Sequence, residues 1–308
     1  MEIFETHAHY DDEAFDTDRN EVLSAINAGT YNENEPVPVG RIVNCGASLK
    51  SSERSVQLAE KYDFVYAAVG VHPDEIGELA GLGKADEKSG VSDASDKSRF
   101  VSGIDADARD IGPGDGCDGF ERLRQLAKSP KVVAIGEIGL DYHWDVWPRE
   151  LQREMFIRQW ELAIELNLPI EVHSRDAAED TFSVVKEMYE REKAAGRSLR
   201  ADMHCYSYSV DQAREYAKMG FYFGVGGVVT FKNARKTHEL VREIPLERIL
   251  LETDCPYLAP EPYRGQRNNS ALIYHVAEKI AELRGITAEE VCRVTYENAC
   301  RFFGRTDF

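Results

Sequence analysis

Short apolar, β-branched runs alternate along this chain with longer stretches of helical periodicity. The runs at Glu2–His9, Gly40–Gly46, Asp63–His72, Lys131–His143, Leu168–His173, Leu199–His204, Phe221–Val225 and Arg248–Asp254 read as strands. The segment Lys131-Val-Val-Ala-Ile-Gly136 is apolar at nearly every position, as expected of a strand buried on both faces of a parallel sheet. Between them, periodicity predicts helices near Arg19–Ala28, Leu49–Lys61, Arg149–Asn167, Ala177–Ala195, Val210–Met219 and Lys232–Glu243, with a helical remainder from about Asn269. In the Arg149–Asn167 stretch the apolar face is Leu151, Met155, Phe156, Trp160, Ala163 and Ile164. Strands alternating with helices in this way predict an α/β fold, a (β/α)8 TIM barrel, with 1–308 as one domain. Periodicity lapses once. The Gly-, Asp- and Ser-rich stretch at about 81–119 reads as a loop insertion after the third strand.

Composition adds limits to this picture. Of 308 residues 43% are hydrophobic and 30% charged, ordinary for a globular protein. No apolar span is long enough for a membrane helix, and the first residues lack the pattern of a signal peptide, so a cytoplasmic location is expected. The six cysteines (45, 117, 205, 255, 292 and 300) show no CxxC pairing and are expected to be free thiols. A net charge of −18 argues against a broad cationic surface for nucleic acid, while leaving room for a small site whose positive charge comes from metal ions. No motif requires an obligate protein partner.

The candidate chemistry collects at strand ends. His7 and His9 are two residues apart on the first strand and project from the same face. Glu137 lies at the end of the fourth strand between Gly136 and Gly139, a costly place for a carboxylate unless something positive meets it. His173, His204 and Asp254 end the fifth, sixth and eighth strands. Six of the eight histidines (7, 9, 72, 143, 173 and 204) fall at or just after strand ends, whereas His238 and His275 fall on helices. Any one of these residues has a structural explanation. Four imidazoles and two carboxylates converging at one barrel mouth require cations. The acidic run Asp11, Asp12, Glu13, Asp16 and Asp18 reads as a solvated loop.

Six motifs in this order resemble one family. Thr6-His-Ala-His9, Gly70-Val-His-Pro73, Gly136-Glu-Ile-Gly-Leu-Asp-Tyr-His143, Val172-His-Ser-Arg-Asp-Ala177, His204-Cys-Tyr-Ser207 and Glu252-Thr-Asp-Cys-Pro-Tyr-Leu-Ala-Pro260 are similar to those of the TatD deoxyribonucleases, within the amidohydrolase-like superfamily. The resemblance implies two divalent ions (magnesium, manganese or zinc). His7, His9, Glu137 and Asp254 would hold one, and Glu137, His173 and His204 the other, with Glu137 as the bridge. It implies hydrolysis of phosphodiester bonds by an activated water, oriented or deprotonated by Asp254, with DNA as substrate from single-stranded or frayed ends. His72, Arg175, Tyr206, Arg264 and Arg267 would lie near the phosphate or leaving group. Two other readings keep the same residues: hydrolysis of a small ester, lactone or amide, and a metal-binding scaffold without turnover. The chain departs from the family pattern at Glu5, Asp74, Asn269 and Ser270, which bears on the substrate rim rather than on the ligands.

Overall fold

The structure, a computed structural model, describes residues 2–31, 37–82 and 118–304. The expected insertion at about 81–119 lies almost wholly outside them. Eight parallel strands run in sequential order: β1 (Ile3–Ala8), β2 (Val39–Cys45), β3 (Val65–Val69), β4 (Val132–Asp141), β5 (Ile170–Arg175), β6 (Ala201–Met203), β7 (Tyr222–Val225) and β8 (Ile249–Leu251). The seam between β8 and β1 is drawn together by the Asp254 N–H donating to the His7 carbonyl at 3.0 Å and Thr6 Oγ1 donating to the Leu251 carbonyl at 3.0 Å. Helices alternate with the strands, and the result is the nearly closed (β/α)8 TIM barrel that the alternation predicts.

The main helices match the expected spans closely: Arg19–Ala28, Leu49–Lys61, Arg149–Leu166, Ala178–Ala194, Val210–Lys218 and Arg235–Glu243. The C-terminal remainder divides into Ile273–Arg284 and Ala288–Phe303, separated at Gly285, whose φ of 68° ends the first of them. Among the described residues two α-helical elements are additional to the expectation, a single turn at Gly77–Ala80 and a helix at Gly119–Leu126. The latter is initiated by Asp118, whose side chain accepts from the Phe120 N–H. Several strands stop earlier than the apolar runs. β3 ends at Val69, so His72 lies on the following loop, fixed by its N–H donating to the Ala47 carbonyl at 2.9 Å. His204 and Asp254 likewise lie just beyond the short strands β6 and β8.

Two apolar clusters follow from strand alternation. Ile42, Val69, Ile135, Val172, Met203 and Leu251 pack outward with helix residues such as Val56, Phe156, Trp160 and Val276. Residues near the strand starts (Phe4, Val43, Tyr66, Val133, Tyr222 and Leu250) form a second cluster with Phe302 and Phe303 of the last helix. Phe4 stacks on Phe303 at 5.5 Å between centroids, and Tyr222 meets Phe302 at 5.6 Å. This aromatic plug fills the N-terminal end of the barrel and leaves the C-terminal end for polar groups.

The acidic loop after β1 is only partly solvated, contrary to expectation. Asp11 is buried and accepts from Asn44 Nδ2 at 2.8 Å and Ser51 Oγ at 2.6 Å, which ties the loop to β2 and the following helix. Asp18 is clamped by Arg267 in a two-bond fork of 2.8 and 2.6 Å.

Candidate metal centre

All six expected ligand side chains meet at the C-terminal mouth. His7 Nε2 and His9 Nε2 are 3.2 Å apart. Both face Glu137 Oε2, at 3.7 and 3.8 Å, and Asp254 Oδ1, at 4.0 and 3.3 Å. The other oxygen of Glu137, Oε1, lies 2.7 Å from His173 Nδ1 and 3.8 Å from His204 Nε2. Glu137 therefore stands between imidazoles on both of its edges. The His204 ring lies nearly parallel to His7, centroids 3.6 Å apart, and its Nε2 is 3.7 Å from Asp254 Oδ1. His204 thus sits between Glu137 and Asp254, closer to the first ligand group than the motif order suggests.

Local structure accounts for these placements. A β-strand puts His7 and His9 on one face, and β4 and β5 are in register at Gly139 and His173. At Gly139, with φ of 155°, an added Cβ would lie 1.8 Å from the His173 carbonyl oxygen, so only glycine permits that approach. Asp254 adopts a positive φ of 58°, turning its carboxylate into the mouth.

Electrostatics follow from burial and from this crowding. Burial opposes ionisation of Glu137, yet His173 and His7 hold its carboxyl well below the ordinary range. Burial also opposes a charged His9 and His173, but the facing carboxylates, Asp254 for the first and Glu137 for the second, raise both to about 9. Burial and the neighbouring His204 lower His7. Among the described residues no lysine or arginine pairs with Glu137 or Asp254. The Nε2 atoms of His7 and His9 face each other and two carboxylate oxygens. Such a set of imidazole and carboxylate donors fits a divalent cation and fits little else. His7, His9 and Glu137 bring ligand atoms within 4.8 Å of one another, as do His7, His204 and Asp254, and His72, Asp141 and His173.

Motif reading missed the groups behind the ligands. His9 Nδ1 lies 2.9 Å from the Cys45 carbonyl oxygen, His204 Nδ1 3.0 Å from Glu252 Oε2, and His173 Nε2 3.1 Å from Asp141 Oδ2. His7 Nδ1 is buried without a hydrogen bond, and Glu171 Oε2 is 3.6 Å away. Four carboxylates precede an expected ligand by two positions, as Glu5-Thr-His7, Glu171-Val-His173, Asp202-Met-His204 and Glu252-Thr-Asp254. That spacing places them one step deeper on the same strand face, and it was available in the sequence.

The five residues expected near a substrate are dispersed. His72 is at the centre, its ring 4.3 Å from that of His173, and burial with the His173 charge lowers it to about 3. Arg175 is exposed beside Trp144, its guanidinium carbon 5.6 Å from the ring centroid. Trp144 is 62% exposed, and its backbone N–H donates to Asp141 Oδ1 at 3.1 Å, beside His173. Arg264 is exposed over the Phe231 ring. Arg267 is committed to Asp18 and to the Ala14 carbonyl. Tyr206 is buried among Tyr208, Tyr216 and Phe223, and its hydroxyl donates to the Ser209 carbonyl at 2.8 Å.

The departures from the family pattern are also structural groups. Glu5 is fully buried and accepts from the His7 and Thr253 N–H groups at 3.2 and 2.9 Å, stitching the β1–β8 seam. Asn269 caps the turn that follows it, and Ser270 Oγ accepts from the Tyr10 hydroxyl at 2.8 Å. Asp74 Oδ2 lies 3.5 Å from His72 Nδ1.

Comparison with known proteins places the chain in a family. The family described as TatD related DNase matches residues 4–304. YabD of Bacillus subtilis, named as an uncharacterized metal-dependent hydrolase, is 42% identical over 98% of both chains. A similarly named protein of Methanocaldococcus jannaschii is 31% identical over 99% of this chain and 98% of its own length. Among solved structures, the TatD homolog YJJV of Escherichia coli superposes with a TM-score of 0.74 at 26% identity, covering 98% of each chain.

Proposed function

The chain belongs to the TatD-related DNase family of metal-dependent hydrolases, and we propose that within it this protein cleaves phosphodiester bonds of DNA from single-stranded or frayed ends. The observation that carries the reading is Glu137, with one oxygen against His173 and the other facing His7 and His9. A carboxylate so placed can be shared by two cations. His7, His9, Glu137 and Asp254 would hold one, and Glu137, His173 and His204 the other. Divalent ions bound there would supply Lewis acidity toward a phosphoryl oxygen and toward water.

The chain's own groups supply the rest. The Asp254 side chain is 19% exposed, so its carboxylate can reach the solvent-filled mouth to orient an attacking water and accept its proton. Arg175 carries a positive charge at the rim for a phosphate oxygen, and the Trp144 face beside it can stack a base. The aromatic plug at the other end of the barrel keeps water from entering the floor of the site. An acidic chain with a few rim cations suits a substrate gripped over a few nucleotides rather than along a duplex.

The test is degradation of an end-labelled single-stranded oligonucleotide by wild type and Glu137→Ala, with magnesium, manganese, zinc or a chelator. Stepwise shortening that needs metal and disappears in the variant is the expected result. No cleavage by a folded, metal-holding wild type would reject the nuclease and leave small esters, lactones or amides as substrates.

A further inference from the structure

We propose that Glu171 and Glu252 are positioning residues that hold His7 and His204 so that their Nε2 atoms stay bare and aimed at the shared centre. The inference rests on the metal-binding reading of that centre. It goes beyond the ligand set, because neither carboxylate is among the six expected ligands.

Four observations carry it. Glu252 Oε2 lies 3.0 Å from His204 Nδ1, while Oε1 accepts from the Cys205 N–H at 2.8 Å, so both oxygens are fixed. Glu171 Oε2 faces His7 Nδ1 at 3.6 Å and accepts from the Cys45 thiol at 2.9 Å. His7 Nδ1 has no hydrogen bond and is buried, so Glu171 is the carboxylate available to it when its ring settles on a cation. The backbone leaves space for both side chains. A Cβ on Gly224 would lie 2.0 Å from Glu252 Oε2, and a Cβ on Gly136 would lie 2.6 Å from the Glu171 Cβ.

The physical consequence is directional. A carboxylate behind Nδ1 holds the imidazole proton there and leaves the Nε2 lone pair free to bind. It also stops ring rotation about the side-chain bonds. The two rings are stacked nearly parallel, so rotation of either disturbs the other. Glu5 offers a built-in contrast. It is just as buried and, like Glu171 and Glu252, precedes a site residue by two positions, but its hydrogen bonds go to His7 N–H and Thr253 and to no imidazole nitrogen.

The experiment measures zinc affinity by competition with a chromophoric chelator for wild type, Glu171→Gln, Glu252→Gln, Cys45→Ala and Glu5→Gln. Folding is checked by circular dichroism. Imidazole nitrogen shifts of the ¹⁵N-labelled, zinc-loaded proteins report which ring nitrogen carries the proton. Both Gln variants at positions 171 and 252 are expected to bind zinc roughly 10–100-fold more weakly, with altered shifts for His7 and His204 respectively. Cys45→Ala, which removes a donor to Glu171, should weaken binding less. Glu5→Gln should leave the ring shifts unchanged. Wild-type affinity and shifts in both Gln variants would overturn the proposal, as would equal disturbance by Glu5→Gln. If the Gln variants fail to fold, the wild-type spectrum decides: protons on Nδ1 of His7 and His204 are required, and protons on Nε2 reject the idea. A wild type that holds no zinc, manganese or magnesium would instead reject the metal reading beneath it.

Discussion

Along β8 and just beyond it, the inward positions run from Leu250 through Glu252 to Asp254, and the two ends of the barrel differ in the same sense. At the N-terminal end Phe4, Tyr222, Phe302 and Phe303 exclude water by apolar contact. At the C-terminal end His7, His9, Glu137, His173, His204 and Asp254 crowd polar atoms into a narrow mouth. Between them lies the acidic floor of Glu171, Asp202 and Glu252, where burial raises Glu171 and Asp202 above ordinary carboxylate values. The lesson is a division of labour along the barrel axis. One end supplies the favourable free energy of apolar burial, and the other carries unfavourable desolvation that a bound cation would relieve.

Substitutions at the two ends should therefore separate activity from stability. Glu137→Ala should lower hydrolysis by at least about 10²–10³-fold, measured with the oligonucleotide assay. Divalent cations should raise the melting temperature of wild type and not of this variant, since a ligand that binds only the folded state stabilises it. Retained cation stabilisation in this variant would break the contrast. Phe302→Ala should cost roughly 3–5 kcal/mol in urea unfolding, while the folded fraction keeps wild-type metal stoichiometry. Loss of metal from folded Phe302→Ala would mean that the plug and the mouth are coupled.

Smaller effects sharpen the picture at the rim. Trp144→Ala should weaken the grip on an oligonucleotide by about 1–3 kcal/mol for each base stacked there, seen in KM rather than kcat. Hydrolysis of a small phosphodiester should be unchanged. Arg267→Ala should cost at most about 1 kcal/mol, because the pair with Asp18 is part-exposed. Arg267 holds the Asp18 carboxyl below its ordinary value of 3.8. The pair's contribution is thus present above the unfolded carboxylate pKa and is lost as pH falls through the lowered folded value. Urea midpoints of wild type and Arg267→Ala should converge in that acidic window and differ at neutral pH.

The six candidate ligands were legible because strand periodicity and strand endings are local properties. His7 and His9 at two-residue spacing, and Glu137 after an apolar run, declare their side of the barrel without knowledge of their neighbours. The rim was far less legible. Arg267 reads as a phosphate-binding candidate until Asp18, 249 residues away, is found to hold it. Tyr206 follows a ligand by two positions, yet its ring turns into an aromatic core and its hydroxyl closes a turn. Asp11 reads as solvated until Asn44 and Ser51 arrive from the next strand and helix.

The order of strands and helices, the barrel they form and the six residues that meet at its mouth were determined by the sequence itself, through apolar periodicity and the positions of its polar interruptions. Only the tertiary structure decided that Glu137 spans two groups of imidazoles, that His204 stacks on His7, and that Glu252 and Cys45 stand behind the histidines. It also paired Arg267 with Asp18 and turned the Tyr206 hydroxyl onto the Ser209 carbonyl. The physical reason is that these outcomes depend on which distant groups compete for a donor, an acceptor or a charge. Barrel closure brings those competitors together, and no local window of sequence contains them.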